Sequence, residues 1–246
     1  MVQKARRHLQ KKFITDGKEF AMQKEKPDCA RCPHKVSDRL CRTDNGKALN
    51  FCPTRNMPEL VEQSLNEYRD SNGVREFAKQ AAIQEAEGYI NRDLGYEHVR
   101  AAKTRIEEIM GFADKMKYKR LGMAFCIGLR KEAKAVEKIF SSRGFDVVSV
   151  ICKVGRISKE RIGVGKDQQI APDTTEAMCN PVLQARILNT KKTDFNVLLG
   201  LCVGHDSLFF KYAEAPCTVL AVKDRLLGHN PLAAVYNVDS YYRCLK

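Results

Sequence analysis

Phe195-Asn-Val-Leu-Leu-Gly-Leu-Cys202, continued by Val203-Gly-His-Asp-Ser207, decides how this chain is read. The first part is an almost unbroken apolar run, the pattern of a strand buried on both faces of a parallel sheet. It ends in Cys202, a glycine two residues on, and the pair His205-Asp206. Open parallel sheets bind ligands in the crevice beyond the carboxyl ends of their strands. A soft sulfur donor and a titratable pair are therefore expected where such a fold does its chemistry. Two further apolar runs end alike, Leu121-Gly-Met-Ala-Phe-Cys126 and Val147-Val-Ser-Val-Ile-Cys152.

Working outward, residues 119–246 alternate strand and helix. Strands are expected over 120–126, 145–152, 195–202 and 218–222, with helices over 130–142 and 182–189 and a short helical turn at 207–212. The glycine- and charge-rich stretch 154–175 reads as a loop, and a helix or strand closes the chain after Pro231. This is the rhythm of an α/β fold with a doubly wound, mostly parallel sheet. Gly163-x-Gly165 lacks both the strand–turn–helix setting and a phosphate-loop lysine, so no nucleotide site is assigned.

Ahead of this domain, residues 59–118 read as a helical connector. Helices are expected over 58–68, 74–89 and 97–117, their apolar residues recurring at helical spacing and their charges alternating in sign as on a wet face. Residues 27–58 are short of apolar side chains and punctuated by Pro, Gly, Asn and Asp, so this segment needs a staple to fold. Cys29, Cys32, Cys41 and Cys52 supply one, spaced C-x2-C-x8-C-x10-C. The close pair lets two sulfurs converge on one metal, and the later two complete a four-thiolate set. Structural zinc usually takes two close pairs. The spread second pair and its Cys52-Pro53 ending match iron–sulfur runs. An iron–sulfur cluster, 4Fe-4S, is the first expectation and zinc the alternative. His34 lies close enough in sequence to replace a thiolate.

Residues 1–26 form a basic tail in which Lys and Arg outnumber acids, within a chain of 246 residues and net charge +13. No aromatic-interleaved basic motif follows it, so a solvated tail is expected and a nucleic-acid partner is not. No apolar run reaches the roughly 18 residues of a membrane span. The first residues lack the apolar core of a secretory signal, so a cytoplasmic location without membrane contact is expected. Ten cysteines in that compartment point to metal or redox use instead of disulfides.

A second metal set is expected where the strands end: Cys126, Cys152 and Cys202, with Cys179 in the loop before the next helix. Taken singly, each reads as an inert core thiol. The shared strand-end placement is what argues for a second iron–sulfur centre. Three ligands would leave it open to substrate and four would close it, so Cys179 decides between reaction and electron transfer. Cys217 and Cys244 lack this placement and read as structural. His205, Asp206 and His229 are the candidate catalytic residues, as proton shuttles or hydrogen-bond donors to a ligand sulfur. Helix capping and backbone hydrogen bonds are their alternative roles. Lys223-Asp224-Arg225 can bring charge to the same mouth and welcome a small anionic or sulfur-containing ligand.

The chain resembles a family of small cysteine-rich proteins from anaerobic bacteria and archaea that are taken to bind metal and have no assigned function. The resemblance rests on Cys29-Ala-Arg-Cys32, Ala124-Phe-Cys-Ile-Gly-Leu-Arg-Lys-Glu-Ala133, Val150-Ile-Cys-Lys-Val-Gly155 and Met178-Cys-Asn-Pro181. It continues through Gly200-Leu-Cys-Val-Gly-His-Asp-Ser-Leu-Phe209, Lys223-Asp-Arg225 and Gly228-His-Asn-Pro231. It implies metal binding and an anaerobic setting, and supplies no reaction. Three functions stay open: an iron–sulfur protein handling a small substrate with a redox partner, a zinc-stapled binding module without catalysis, and a metal-trafficking protein.

Overall fold

The computed structural model describes residues 26–69 and 73–246. Apart from Lys26, the basic tail expected over 1–26 lies outside the described residues. The described residues divide into two compact units, one ending at Arg75 and the other running from Glu76 to Lys246.

The described part of the first unit holds little regular structure, as its composition requires. A 3-10 turn at Cys29–Arg31 carries the close cysteine pair, and a single bridge joins Arg39 to Lys47. Gly46 is needed there: a Cβ on it would stand 2.3 Å from the Arg39 carbonyl carbon. Helix α1 (Pro53–Asn56) starts directly after Cys52, with proline at its first position, where the missing N–H costs nothing. Helix α2 (Pro58–Arg69) follows, and the apolar stripe Leu60, Val61, Leu65 and Tyr68 remains exposed.

Helix α3 (Val74–Glu87) belongs to the second unit from Glu76 on, and a two-stranded antiparallel ladder of β1 (Tyr89–Ile90) and β2 (Arg100–Ala101) follows it. Helix α4 is confined to Arg105–Lys115, shorter than the 97–117 expected. The reason is a capping box: the Thr104 N–H and hydroxyl both donate to Glu107 Oε2, at 2.7 and 2.6 Å, and fix the start. Residues ahead of it are drawn into the β1–β2 ladder.

Four parallel strands follow: β3 (Arg120–Phe125), β4 (Asp146–Ile151), β5 (Phe195–Leu201) and β6 (Cys217–Val222), in spatial order β4-β3-β5-β6. Helices α5 (Arg130–Ser142), α6 (Pro181–Thr190) and α7 (His205–Tyr212) make the crossovers, and α8 (Leu232–Tyr236) comes near the end. Two apolar layers result. Ile109, Phe112 and Ala113 of α4 with Ala133, Val136 and Phe140 of α5 join Leu121, Met123, Val197 and Leu199 in one cluster. Ala185 and Leu188 of α6 with Phe209 of α7 join Ala124, Val150 and Leu198 in the other. Helices on both faces make the sheet doubly wound, and β5 is buried along its whole length. Burial of each such large side chain contributes about 1.5–3 kcal/mol.

The chain runs from β3 outward to β4 and then returns to the other side of β3 for β5. The strand order therefore reverses between β3 and β5, and a crevice opens beyond their carboxyl ends.

Candidate functional site

The residues that directly follow the four strands are Cys152 after β4, Cys126 after β3, Cys202 after β5 and Lys223 after β6. Three thiols and an ammonium thus line the edge where the topology reverses. Cys126 begins the 3-10 turn Ile127–Leu129 that leads into α5. Cys179 lies one residue before the Asn180 cap of α6, whose side chain accepts from the Leu183 N–H at 3.0 Å. The Asn180 N–H donates to the Cys152 carbonyl at 2.7 Å and ties that loop to the end of β4.

Cys126, Cys152 and Cys179 come together, with Cys152 in the middle and hydrogen-bonded to both neighbours. This arrangement splits their acidities. The hydrogen bond from Cys152 lowers Cys126 to about 5 against the opposing effect of burial, with help from the Gly128 N–H and the Lys223 ammonium. The hydrogen bond from Cys152 likewise lowers Cys179 to about 6, again against burial, with the charges of Lys153 and His205 adding. Cys152 is pushed the other way by its two thiol neighbours and by burial, although the Ile127 N–H donates to its sulfur at 3.3 Å. Two thiolates therefore flank one protonated thiol, a titration that belongs to the trio as a whole.

Gln184 of α6 braces this edge from below. It is fully buried, and its amide donates to the Val150 carbonyl at 2.7 Å and the Phe125 carbonyl at 3.3 Å. These carbonyls lie just ahead of Cys152 and Cys126. A polar residue on the inward side of an otherwise apolar helix was the sequence signal for it. Pattern reading alone gives Lys153, Gln184 and Gly200 no role at the site.

Cys202 sits at the same edge, but its recorded partner is Arg225, whose Nη2 donates to the sulfur at 3.1 Å. His205 opens α7 half-buried, near enough for its charge to act on Cys179. Asp206 is engaged locally by the Ser207 N–H at 2.8 Å. His229 has a left-handed backbone, and its Nδ1 accepts from the Asp224 N–H at 3.1 Å. Cys217 begins β6 at the opposite edge of the sheet, where Asn196 contacts its sulfur and burial raises the thiol. Cys244 is exposed in the last 3-10 turn.

In the first unit, Cys29, Cys32, Cys41 and Cys52 all line one small cavity of about 60 Å³, together with Arg39 and Lys47. His34 is not among the residues that line this cavity; its Nε2 is buried without a hydrogen-bond partner among the described residues. All ten cysteines are free thiols. Among the described residues, no group of three or more His, Cys, Asp or Glu side chains is already arranged to hold a metal ion. Among them too, no helix is long and apolar enough to cross a membrane.

Fold and site define a class: a doubly wound parallel α/β protein with a cysteine cluster at its topological switch point. The chain belongs to the family described as "Protein of unknown function (DUF1847)", whose model matches residues 52–220. That span takes in Cys52, the thiol trio, Cys202 and His205, while Cys29, Cys32, Cys41 and His229 fall outside it. An uncharacterized protein of Methanocaldococcus jannaschii is 44% identical over 184 residues, covering 75% of this chain and 86% of that protein. No solved structure matches the chain significantly.

Proposed function

We propose that this is a metal-binding protein with two thiolate centres, one formed by Cys29, Cys32, Cys41 and Cys52, the other by Cys126, Cys152 and Cys179 with Cys202 alongside. The single observation that carries the reading is the convergence of Cys126, Cys152 and Cys179 from three separate elements, two of them acidic enough to be thiolates near neutral pH. Soft metals bind thiolates, and a site that ionises its cysteines in advance lowers the cost of displacing their protons. In the first unit the support is the cavity that all four cysteines line.

An iron–sulfur centre, for which the C-x2-C start and Cys-Pro ending argue, would supply electron transfer or an open iron for a ligand. The chain's own groups would do the rest. Lys223 and Lys153 would hold a small anionic or sulfur-containing ligand at the crevice, and His205 would stand as proton donor beside Cys179. A redox partner protein follows if electrons pass. Zinc is the second reading. Four thiolates close a structural zinc site, and Cys29, Cys32, Cys41 and Cys52 line one cavity.

The test is iron, zinc and acid-labile sulfide analysis, with absorption spectra, on anaerobically purified full-length protein. Cys32→Ser with Cys52→Ser should remove one centre, and Cys126→Ser with Cys179→Ser the other. Full-length protein that emerges colourless and free of metal would end the proposal.

A further inference from the structure

We propose that Cys126 and Cys152 form a dithiol that closes to a disulfide by exchange with an external disulfide, giving the α/β domain a thiol–disulfide exchange activity. The argument is one of register. Phe125 pairs with Ile151 in the parallel β3–β4 ladder, so Cys126 and Cys152 are the next residues on adjacent strands. The ladder carries on past the strand ends, because the Cys152 N–H donates to the Phe125 carbonyl at 2.9 Å. Neighbouring strands stand about 4.8 Å apart, and disulfides join Cα atoms about 4.4–6.8 Å apart. Both side chains enter the same apolar cluster beside Ala185 and Leu188, so they leave the sheet on the same face. They pack in that one cluster with Val150 and Leu198 between the two strand ends and α6.

Cys126 and Cys152 are 9% and 2% exposed, whereas Cys179 is half-buried and touches Cys152. An incoming disulfide RSSR therefore meets Cys179 first. The Cys179 sulfur attacks it, the S–S bond breaks, and one RSH departs. Cys152 gives up its proton to the departing group as its sulfur attacks Cys179 in the mixed disulfide, and the second RSH is released. The Cys126 thiolate then attacks Cys152, leaving the Cys126–Cys152 disulfide and restoring the Cys179 thiolate. Two protein sulfurs are oxidised and one external disulfide is reduced to two thiols; the Cys152 proton leaves on one product and solvent supplies the other. Lys153, Lys223 and Arg225 around the crevice select a small disulfide that carries carboxylates.

This inference goes beyond metal binding and does not depend on it. Metal content of the untreated protein decides the metal reading, and the experiment below uses full-length protein stripped with a chelator and reduced. Oxidised glutathione is the probe. After anaerobic incubation, free thiols are alkylated and the tryptic peptides mapped; residues 121–130, 144–153 and 167–186 carry Cys126, Cys152 and Cys179 separately. The expected product is a disulfide between peptides 121–130 and 144–153. Cys179→Ser should slow its formation by about tenfold, since the remaining pair is less accessible, while Cys244→Ser leaves it unchanged. Glutathione retained on any of the three thiols without the cross-link overturns the proposal. So does full alkylation of Cys126 and Cys152 after incubation.

Discussion

Lys223 acts on the Cys126 thiol across an intervening strand: β5 lies between their own strands β6 and β3, yet the ammonium helps to lower the thiol's pKa, and a Cβ on Gly128 would stand 3.8 Å from Lys223 Nζ and 3.9 Å from Cys126 Sγ. The path runs over Gly200, where an added Cβ would stand 3.5 Å from Lys223 Nζ. Cys152 is the larger influence on Cys126, and the ammonium adds to it. Lys223→Met keeps most of the stem and removes the charge. The pH midpoint for alkylation of Cys126 should move upward from about 5, by a few tenths to about one pH unit. Cys179 should hold near 6, because its cations are Lys153 and His205. An unchanged Cys126 profile would show that the ammonium has no hold on this thiol.

Gly200 carries a second demand. Its backbone is left-handed, with φ of +67°, and a Cβ would fall 2.2 Å from Leu129 Cδ1. Leu129 is buried in the first cluster and has nowhere to retreat. Gly200→Ala should cost about 2–4 kcal/mol through backbone strain and overpacking. Chemical denaturation of the reduced protein measures it, and a loss below about 0.5 kcal/mol would mean that the strand edge yields freely.

The four sheet strands were legible because each is a short apolar run closed by a cysteine or a lysine. The α5 helix was legible from Arg130 to Ser142 because its apolar residues keep helical spacing. The grouping of Cys126 with Cys152 also followed from strand ends alone. What pattern could not supply was which sulfurs touch. Cys179 joins the trio because the Asn180 N–H fixes its loop to Cys152, whereas Cys202 turns to Arg225, a residue brought back by the folding of the last loop. The start of α4 was missed for a local reason. Val99 and Ala102 fit the helical period, yet Thr104-Arg-Ile-Glu107 is a capping signal that overrides it. The exposed stripe on α2 shows the limit of periodicity: it names a helix and an apolar face without saying what covers that face.

Gln184 offers a separate test of how the thiol edge is held. Its amide bridges the ends of β3 and β4, while its Oε1 is buried without a hydrogen-bond partner among the described residues. Gln184→Ala removes both donated bonds and opens a cavity, for an expected loss of roughly 2–4 kcal/mol. Gln184→Leu fills most of the space and also removes the orphaned acceptor, so it should cost less than the alanine change. If the leucine variant is the more damaging, the amide bonds outweigh packing at this position. In either variant, amide exchange should quicken at Cys152, whose N–H shares the Phe125 carbonyl with Gln184.

Opposed acidities within one trio give the metal-free protein a stability curve whose sign can be worked out. Unfolded thiols titrate near 8.5. Cys126 and Cys179 lie below that in the fold, at about 5 and about 6. Between those values and 8.5 the unfolded chain binds more protons than the native one, so stability rises with pH. Their contribution is complete above the ordinary thiol range and is lost as the pH falls through about 6 and then 5. Cys152 acts in reverse: raised in the fold, it keeps its proton where the unfolded thiol has given its own up, so its contribution fades as the pH climbs past about 8.5. The thiol-linked part of stability should therefore peak near the ordinary thiol pKa. Cys152→Ala withdraws the largest cause of both depressed values and should flatten the curve on the acid side as well as the alkaline side. Urea denaturation of reduced, chelator-treated wild-type and variant protein over about pH 5 to 9.5 makes the comparison. Parallel curves would show that the three sulfurs do not titrate together.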